Sequence, residues 1–182
     1  KKKKKVLTVD STNALVGVGA APASGTADPL QITTPASGGG QGLSILRTDN
    51  NASQLIGRIT AGNSVDAELA SITFNTDGAN DSGNIIFNTE ATGGSLAEAM
   101  RINSSGVVGI GVTPDDEWDT FTAMQIGETG AIFAHPDGTG AGSAIHITAN
   151  AYYDSQYEYL ISASDEASRY TQENGKHLFY VA

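Results

Sequence analysis

Apolar residues fall along this chain in short bursts separated by runs of Gly, Ser, Thr, Asn and Asp. Some bursts alternate with glycine, as in Leu15-Val16-Gly17-Val18-Gly19 and Val107-Val108-Gly109-Ile110-Gly111. A period of two is the mark of a strand with one covered face. Turn residues recur every 8 to 14 positions, the rhythm of an all-β protein. Strands are predicted over Leu43–Arg47, Leu55–Thr60, Ser71–Thr76, Asn84–Thr89, Ala131–Ala134, Ala144–Thr148, Tyr157–Ser162 and His177–Val181. Asp77–Gly83 is a loop by composition, so the two flanking runs, near copies of one another, read as a hairpin. Ser95 and Glu98 stand at capping-box spacing, which predicts one helical turn over Ser95–Met100 before the next strand.

The pattern repeats. Leu15-Val16-Gly17-Val18-Gly19-Ala20-Ala21-Pro22 matches Val107-Val108-Gly109-Ile110-Gly111-Val112-Thr113-Pro114 at an offset of 92. Val6–Asp10 matches Ala99–Asn103 at 93, and Pro29–Ile32 resembles Ala123–Ile126 at 94. The first turn is one residue longer in the first copy. Residues 6–98 therefore read as a first β module and 99–182 as a second, incomplete at its C-terminus. Each opens as a hairpin whose second strand alternates apolar side chains with bare glycine. Glycine within a strand marks close backbone approach. Gly17, Gly19, Gly109 and Gly111 are accordingly expected at packing contacts between chains or modules; a twisted or bulged strand in a monomer is the other reading.

Composition sharpens this picture. Leu, Ile, Val and Phe number 38 of 182 residues, about 21%, against 24 alanines and 67 residues of Gly, Ser, Thr and Asn. So few large apolar groups make a thin core for one chain. Further copies of the chain are expected to complete it. The net charge is −10, and half of the basic residues are the run Lys1–Lys5. Without that run, five basic residues face twenty acidic ones, a net of −15. This excludes a nucleic-acid backbone or an anionic membrane surface as partner. Lys1–Lys5 is set apart as a tag, a placeholder or a disordered arm. The absence of cysteine excludes disulfides and thiolate metal sites. No apolar run approaches a membrane span or a signal-peptide core.

Ala99–Pro114, AMRINSSGVVGIGVTP, resembles the recurring element of tailed-phage tail-fibre and tail-associated structural proteins. Residues 43–102, with RTDNNAS, ELASITFNTDGANDSGNIIFNTE and LAEAMRI, are similar to the segment that precedes it there. FTAMQIGETGAI, NAYYDSQYEYL and SRYTQENGKHLFYVA in residues 118–182 extend the resemblance. It implies short-stranded hairpin modules in an intertwined or side-by-side homotrimeric fibre, of β-prism or β-sandwich-like form. It also implies a place in the virion, beside other fibre proteins and near a host-surface glycan. Longer members end in a trimerising chaperone that is cleaved off; no such domain is visible in these residues. A carbohydrate-binding or depolymerising tip, and a bacterial extracellular filament or adhesin subunit, are the alternatives.

Candidate chemistry is sparse. Asp77–Asp81 and Asp115-Asp116-Glu117 gather carboxylates without the alternate-position spacing of a calcium loop. Such pairs also serve glycoside hydrolysis, but most acidic proteins contain them. His135, His146 and His177 lack ligand spacing, although His135 or His146 on a three-fold axis would suit a metal ion. Gly38–Gly42 lacks the Lys-Ser/Thr ending of a phosphate loop, and no nucleophile elbow is present. No cofactor and no enzymatic activity are expected. Tyr152, Tyr153, Tyr157 and Tyr159 cluster with Asp154 and Glu158. Rings beside polar groups suit either glycan contact or an interface core. Trp118 is predicted to anchor packing.

Overall fold

In the computed structural model the described residues are 7–10, 15–18, 30–32, 43–115, 118, 121–135, 143–154, 156–158 and 165–181. They form fifteen strands and no helix, so the protein is all-β. The chain divides into two compact units, Lys1–Leu46 and Arg47–Ala182. The first holds β1 (Leu7–Asp10), β2 (Leu15–Val18) and β3 (Leu30–Ile32) in the order β1-β2-β3.

The second unit is built on a ten-stranded sheet. Its strands are β4 (Leu55–Ala61), β5 (Ala70–Thr76), β6 (Gly83–Thr89), β7 (Ala97–Ile102) and β8 (Val108–Ile110). They continue with β9 (Thr122–Ile126), β10 (Gly130–Ala134), β11 (Ile145–Ala149), β14 (Ser168–Glu173) and β15 (Lys176–Val181). A separate hairpin, β12 (Tyr152–Asp154) with β13 (Gln156–Glu158), lies between β11 and β14 in sequence. The order is β15-β14-β11-β10-β9-β8-β7-β6-β5-β4. Every neighbouring pair is antiparallel except β8 and β9, which run parallel. The repeat boundary at 98/99 falls inside β7.

Two local expectations fail. Ser95–Met100 is not a helical turn: Ala97–Ile102 is β7. The Glu98 carboxylate, which a capping box would turn back to the backbone, accepts both Nε and Nη2 of Arg101 at 2.6 Å. Strand β6 meanwhile offers a full ladder, from Thr89↔Ala97 to Ile85↔Ile102 with one bulge. Leu43–Arg47 is not a strand either. It pairs with no strand among the described residues, and β propensity without a ladder does not fix a strand. The Arg47 guanidinium instead donates to the carbonyls of Asn51 and Leu55, closing the loop into β4. The Asp77–Gly83 hairpin forms as predicted. Asp77 accepts from Asn84 Nδ2 at 3.0 Å and from the Ser104 N–H at 2.8 Å, tying that loop to the β7–β8 turn.

The two faces of the large sheet differ. One register line crosses all ten strands: Gly57, Phe74, Ile85, Ile102, Val108, Met124, Ile132, Ile147, Tyr170 and Phe179. Directly paired residues share a face, so nine apolar or aromatic side chains form one stripe. With strands about 4.8 Å apart, it is on the order of 40 Å long. A second line beside it runs Ile59, Ile72, Phe87, Met100, Ile110 and Ile126. None of these side chains is fully buried, and Phe179 is 79% exposed. On the opposite face, Asn88 Nδ2 on β6 donates to the Ser71 and Thr73 hydroxyls on β5. Towards β9, β10 and β11 that same face carries the core: Ala123, Ala131 and Phe133 under Trp118, Val107 and Tyr152. Trp118 is 1% exposed, the packing anchor expected of it.

The sequence repeat is also a repeat of pairing. In the first copy β1 and β2 are antiparallel and β2 and β3 parallel. In the second, β7 and β8 are antiparallel and β8 and β9 parallel. The registers agree residue for residue under the offsets: Thr8↔Gly17↔Gln31 answers Arg101↔Gly109↔Gln125. The close approach expected at Gly109 is present, but it lies within the chain. A Cβ there would meet the Val112 carbonyl and, at 2.6 Å, Pro114 Cδ. Gly111 has φ +68° and open space around it, so its need is conformational. Neither glycine requires a second chain to explain it. Gly17 lies in β2 at the position equivalent to Gly109, and Gly19 is outside the described residues. Gly109→Ala is expected to lower unfolding free energy by about 1–3 kcal/mol through overpacking. Gly83→Ala, whose Cβ would make one ordinary 3.4 Å contact, is the tolerant control. Chemical denaturation of both variants checks this, and equal midpoints would contradict it.

Candidate ligand-binding site

The covered face near β15 is lined with aromatic rings. Phe133 on β10 and His146 on β11 are stacked, their centroids 4.8 Å apart at 26°. Phe121 meets Phe133 edge-on at 5.2 Å, and also approaches His135, His146 and Tyr153. Edge-to-face pairs of this kind are favoured by ring quadrupoles. The β12–β13 hairpin sets Tyr153 opposite Tyr157, with centroids 5.1 Å apart.

The predicted tyrosine cluster separates into different roles. Tyr152 is buried against Trp118, with centroids 5.8 Å apart, and its hydroxyl donates to Glu158 Oε2 at 3.3 Å. Tyr153 and Tyr157 line a cavity of ≈ 240 Å³ together with Phe121, His135, His146 and Glu173. Tyr157 and Glu158 also line a second cavity of ≈ 210 Å³, with Ala151, Ala167, Ser168 and Tyr180. Asp154 pairs with Gln156 at the turn of the hairpin. Tyr159 lies outside the described residues.

Arg169, like Tyr157, lines both cavities. Its guanidinium carbon is 3.7 Å from the Tyr157 ring centroid and 4.0 Å from that of Tyr180. Tyr180 comes from the facing strand, paired directly with Arg169, and Tyr157 from the hairpin above. A guanidinium over two rings gains cation–π attraction from each. Neither Arg169 nor Tyr180 is among the residues singled out from sequence. The signal lay in Asn174-Gly175, the pair favoured in two-residue hairpin turns. Both have positive φ, +49° and +73°, and counting back from that turn sets Arg169 opposite Tyr180.

The remaining candidates are dispersed. His135 and His146 share the larger cavity, whereas His177 stacks on Tyr170 near the far sheet edge. Among the described residues no group of three or more His, Asp or Glu is placed to hold a metal ion. Asp77 serves its loop: burial opposes its ionisation, but hydrogen bonds from Ser104 and Asn84, with Arg101 nearby, outweigh that and lower its pKa. The Asp115 N–H donates to Gln125 Oε1 at 2.9 Å. Asp116, Glu117 and Gly38–Gly42 lie outside the described residues.

No protein-family model matches the chain, and no curated protein matches it.

His146 sets a pH dependence. Its Nδ1 is 2.9 Å from Thr171 Oγ1 and 3.4 Å from the Tyr157 hydroxyl. Burial, then the positive charge of Arg169, hold its pKa below the ordinary value, with Glu173 opposing. A pKa depressed in the folded state means that the unfolded chain takes up the proton first. The contribution is therefore fully present above about pH 6.5 and is lost as pH falls below it. The melting temperature is expected to decline from pH 7 towards pH 5, and His146→Gln to flatten that decline. Thermal melts of both proteins across this range check it; parallel curves would contradict it.

Proposed function

We propose that this chain is a structural segment of a homotrimeric fibre, of the kind that the resemblance to tail-fibre proteins suggests. The supporting observation is the apolar stripe across all ten strands. A face this long and uncharged, left open on a chain with so few large apolar residues, is suited to burial against an equivalent sheet. Three copies meeting along their stripes would supply the core that one copy lacks. In this reading the fibre belongs to a virion and has other fibre proteins as neighbours. The same physics serves a bacterial extracellular filament or adhesin. We further propose that the chain is not an enzyme: incubation with capsule or lipopolysaccharide is expected to release no reducing ends.

A second reading, contact with a host-surface glycan, is favoured by one observation. Tyr153 and Tyr157 line a cavity with acidic and imidazole groups beside them, an arrangement suited to the apolar faces and hydroxyls of a sugar.

Ile126→Lys tests the assembly reading. Ile126 is 44% exposed in the single chain, so the variant should fold. Lysine at the exposed turn residue Thr129 is the control. Sedimentation of the wild-type chain and Thr129→Lys at micromolar concentration should give a trimer, and Ile126→Lys a folded monomer. A folded wild-type monomer, or an Ile126→Lys trimer of unchanged stability, would sink the proposal.

A further inference from the structure

Acidic residues outnumber basic ones two to one in this chain, and three of its four arginines are paired with carboxylates. Arg47 pairs with Asp49, Arg58 with Glu68 and Arg101 with Glu98. Among the described residues Arg169 is the arginine with no carboxylate partner. It is half-buried, and its Nε is buried without a hydrogen-bond partner among the described residues. Removing a cation from water without a counter-charge is costly. Tyr157 and Tyr180 each present a ring face to the guanidinium. Nε is enclosed, so the end that a ligand could use is the Nη1/Nη2 pair, a planar fork of donors.

The smaller cavity, which Arg169 also lines, is an open cleft. Ala151 and Ala167 give small apolar lining, Tyr157 and Tyr180 are rings, and Ser168 and Glu158 add hydroxyl and carboxylate groups. Its volume of ≈ 210 Å³ is far above the roughly 10–15 Å³ that one water needs, which leaves room for a small ring. A sugar ring offers C–H faces to the tyrosines and hydroxyls to Glu158 and Ser168. Glu158 shares this cavity and Glu173 the other one, but neither is paired with Arg169. A carboxylate on the sugar ring could therefore take the guanidinium fork in a bidentate pair.

We propose that the Tyr157–Arg169–Tyr180 cleft binds an acidic saccharide through its carboxylate. The inference rests on the glycan reading above, carried from the larger cavity to the smaller one through the shared Tyr157 and Arg169, and is independent of assembly. Calorimetric titration of the full chain with D-glucuronate, D-glucose and acetate tests it. Saturable glucuronate binding is expected, with glucose and acetate each about tenfold weaker or more, a difference of roughly 1.4 kcal/mol. Arg169→Lys keeps the charge and loses the planar fork, and should weaken glucuronate about tenfold. Glucose binding as well as glucuronate would overturn the acidic specificity while leaving the glycan reading standing. Equal binding of acetate would reduce the site to an anion contact and overturn the proposal. No binding by any of the three would overturn both. Undiminished glucuronate affinity in Arg169→Lys would remove Arg169 from the site. If that variant does not fold by circular dichroism, the three wild-type titrations decide.

Discussion

The covered face of the sheet depends on the bare α-carbon of Gly109. Strands β8 and β9 run parallel, so the chain between them must travel back before it can pair again. Residues Val112 and Pro114 begin that return by lying directly against Gly109, where any side chain would collide with them. The returning segment brings Trp118 down onto Ala123, Ala131 and Phe133. The tryptophan in turn supports Tyr152, which roots the hairpin carrying Tyr153 and Tyr157. Packing, aromatic lining and the arginine stack thus follow from one backbone contact.

The sheet divides its resources unequally. The fully buried rings of the second unit, Trp118, Phe133 and Tyr152, lie on the covered face, while most of its isoleucines stand on the open one. A domain that folds alone would be expected to close both faces. Here the closed face is small and carries the buried core, whereas the open face is long and mixes isoleucines with Phe74, Phe87, Tyr170 and Phe179. That asymmetry agrees with a division of labour, one face holding the chain together and the other meeting its copies.

Much of the fold was legible in the sequence because its signals are local. Ser71–Thr76 and Asn84–Thr89 announce their hairpin by alternation around a loop of Asp, Gly and Asn, and the repeat offsets carry through to pairing register. What was missed depended on competition or on long-range register. Ser95 and Glu98 have the spacing of a cap, but Arg101 holds the carboxylate and β6 holds the backbone. The apolar stripe cannot be read from any one strand, since two bulges and a parallel pair decide which residues align. At the site, Tyr153 and Tyr157 stood out as a cluster, whereas Arg169 gains meaning only once the Asn174-Gly175 turn sets Tyr180 across from it.

The two copies of the hairpin-plus-parallel-strand unit keep one register although the turn of the first is longer by a residue. Their pairing is therefore indifferent to loop length, and insertions at such a turn leave the ladder unslipped. A unit with that property can be duplicated, spliced and decorated at its tips while its pairing stays fixed. The loops become the place where sequences diverge without cost to the strands, and a longer protein can be assembled by copying rather than by inventing a new fold.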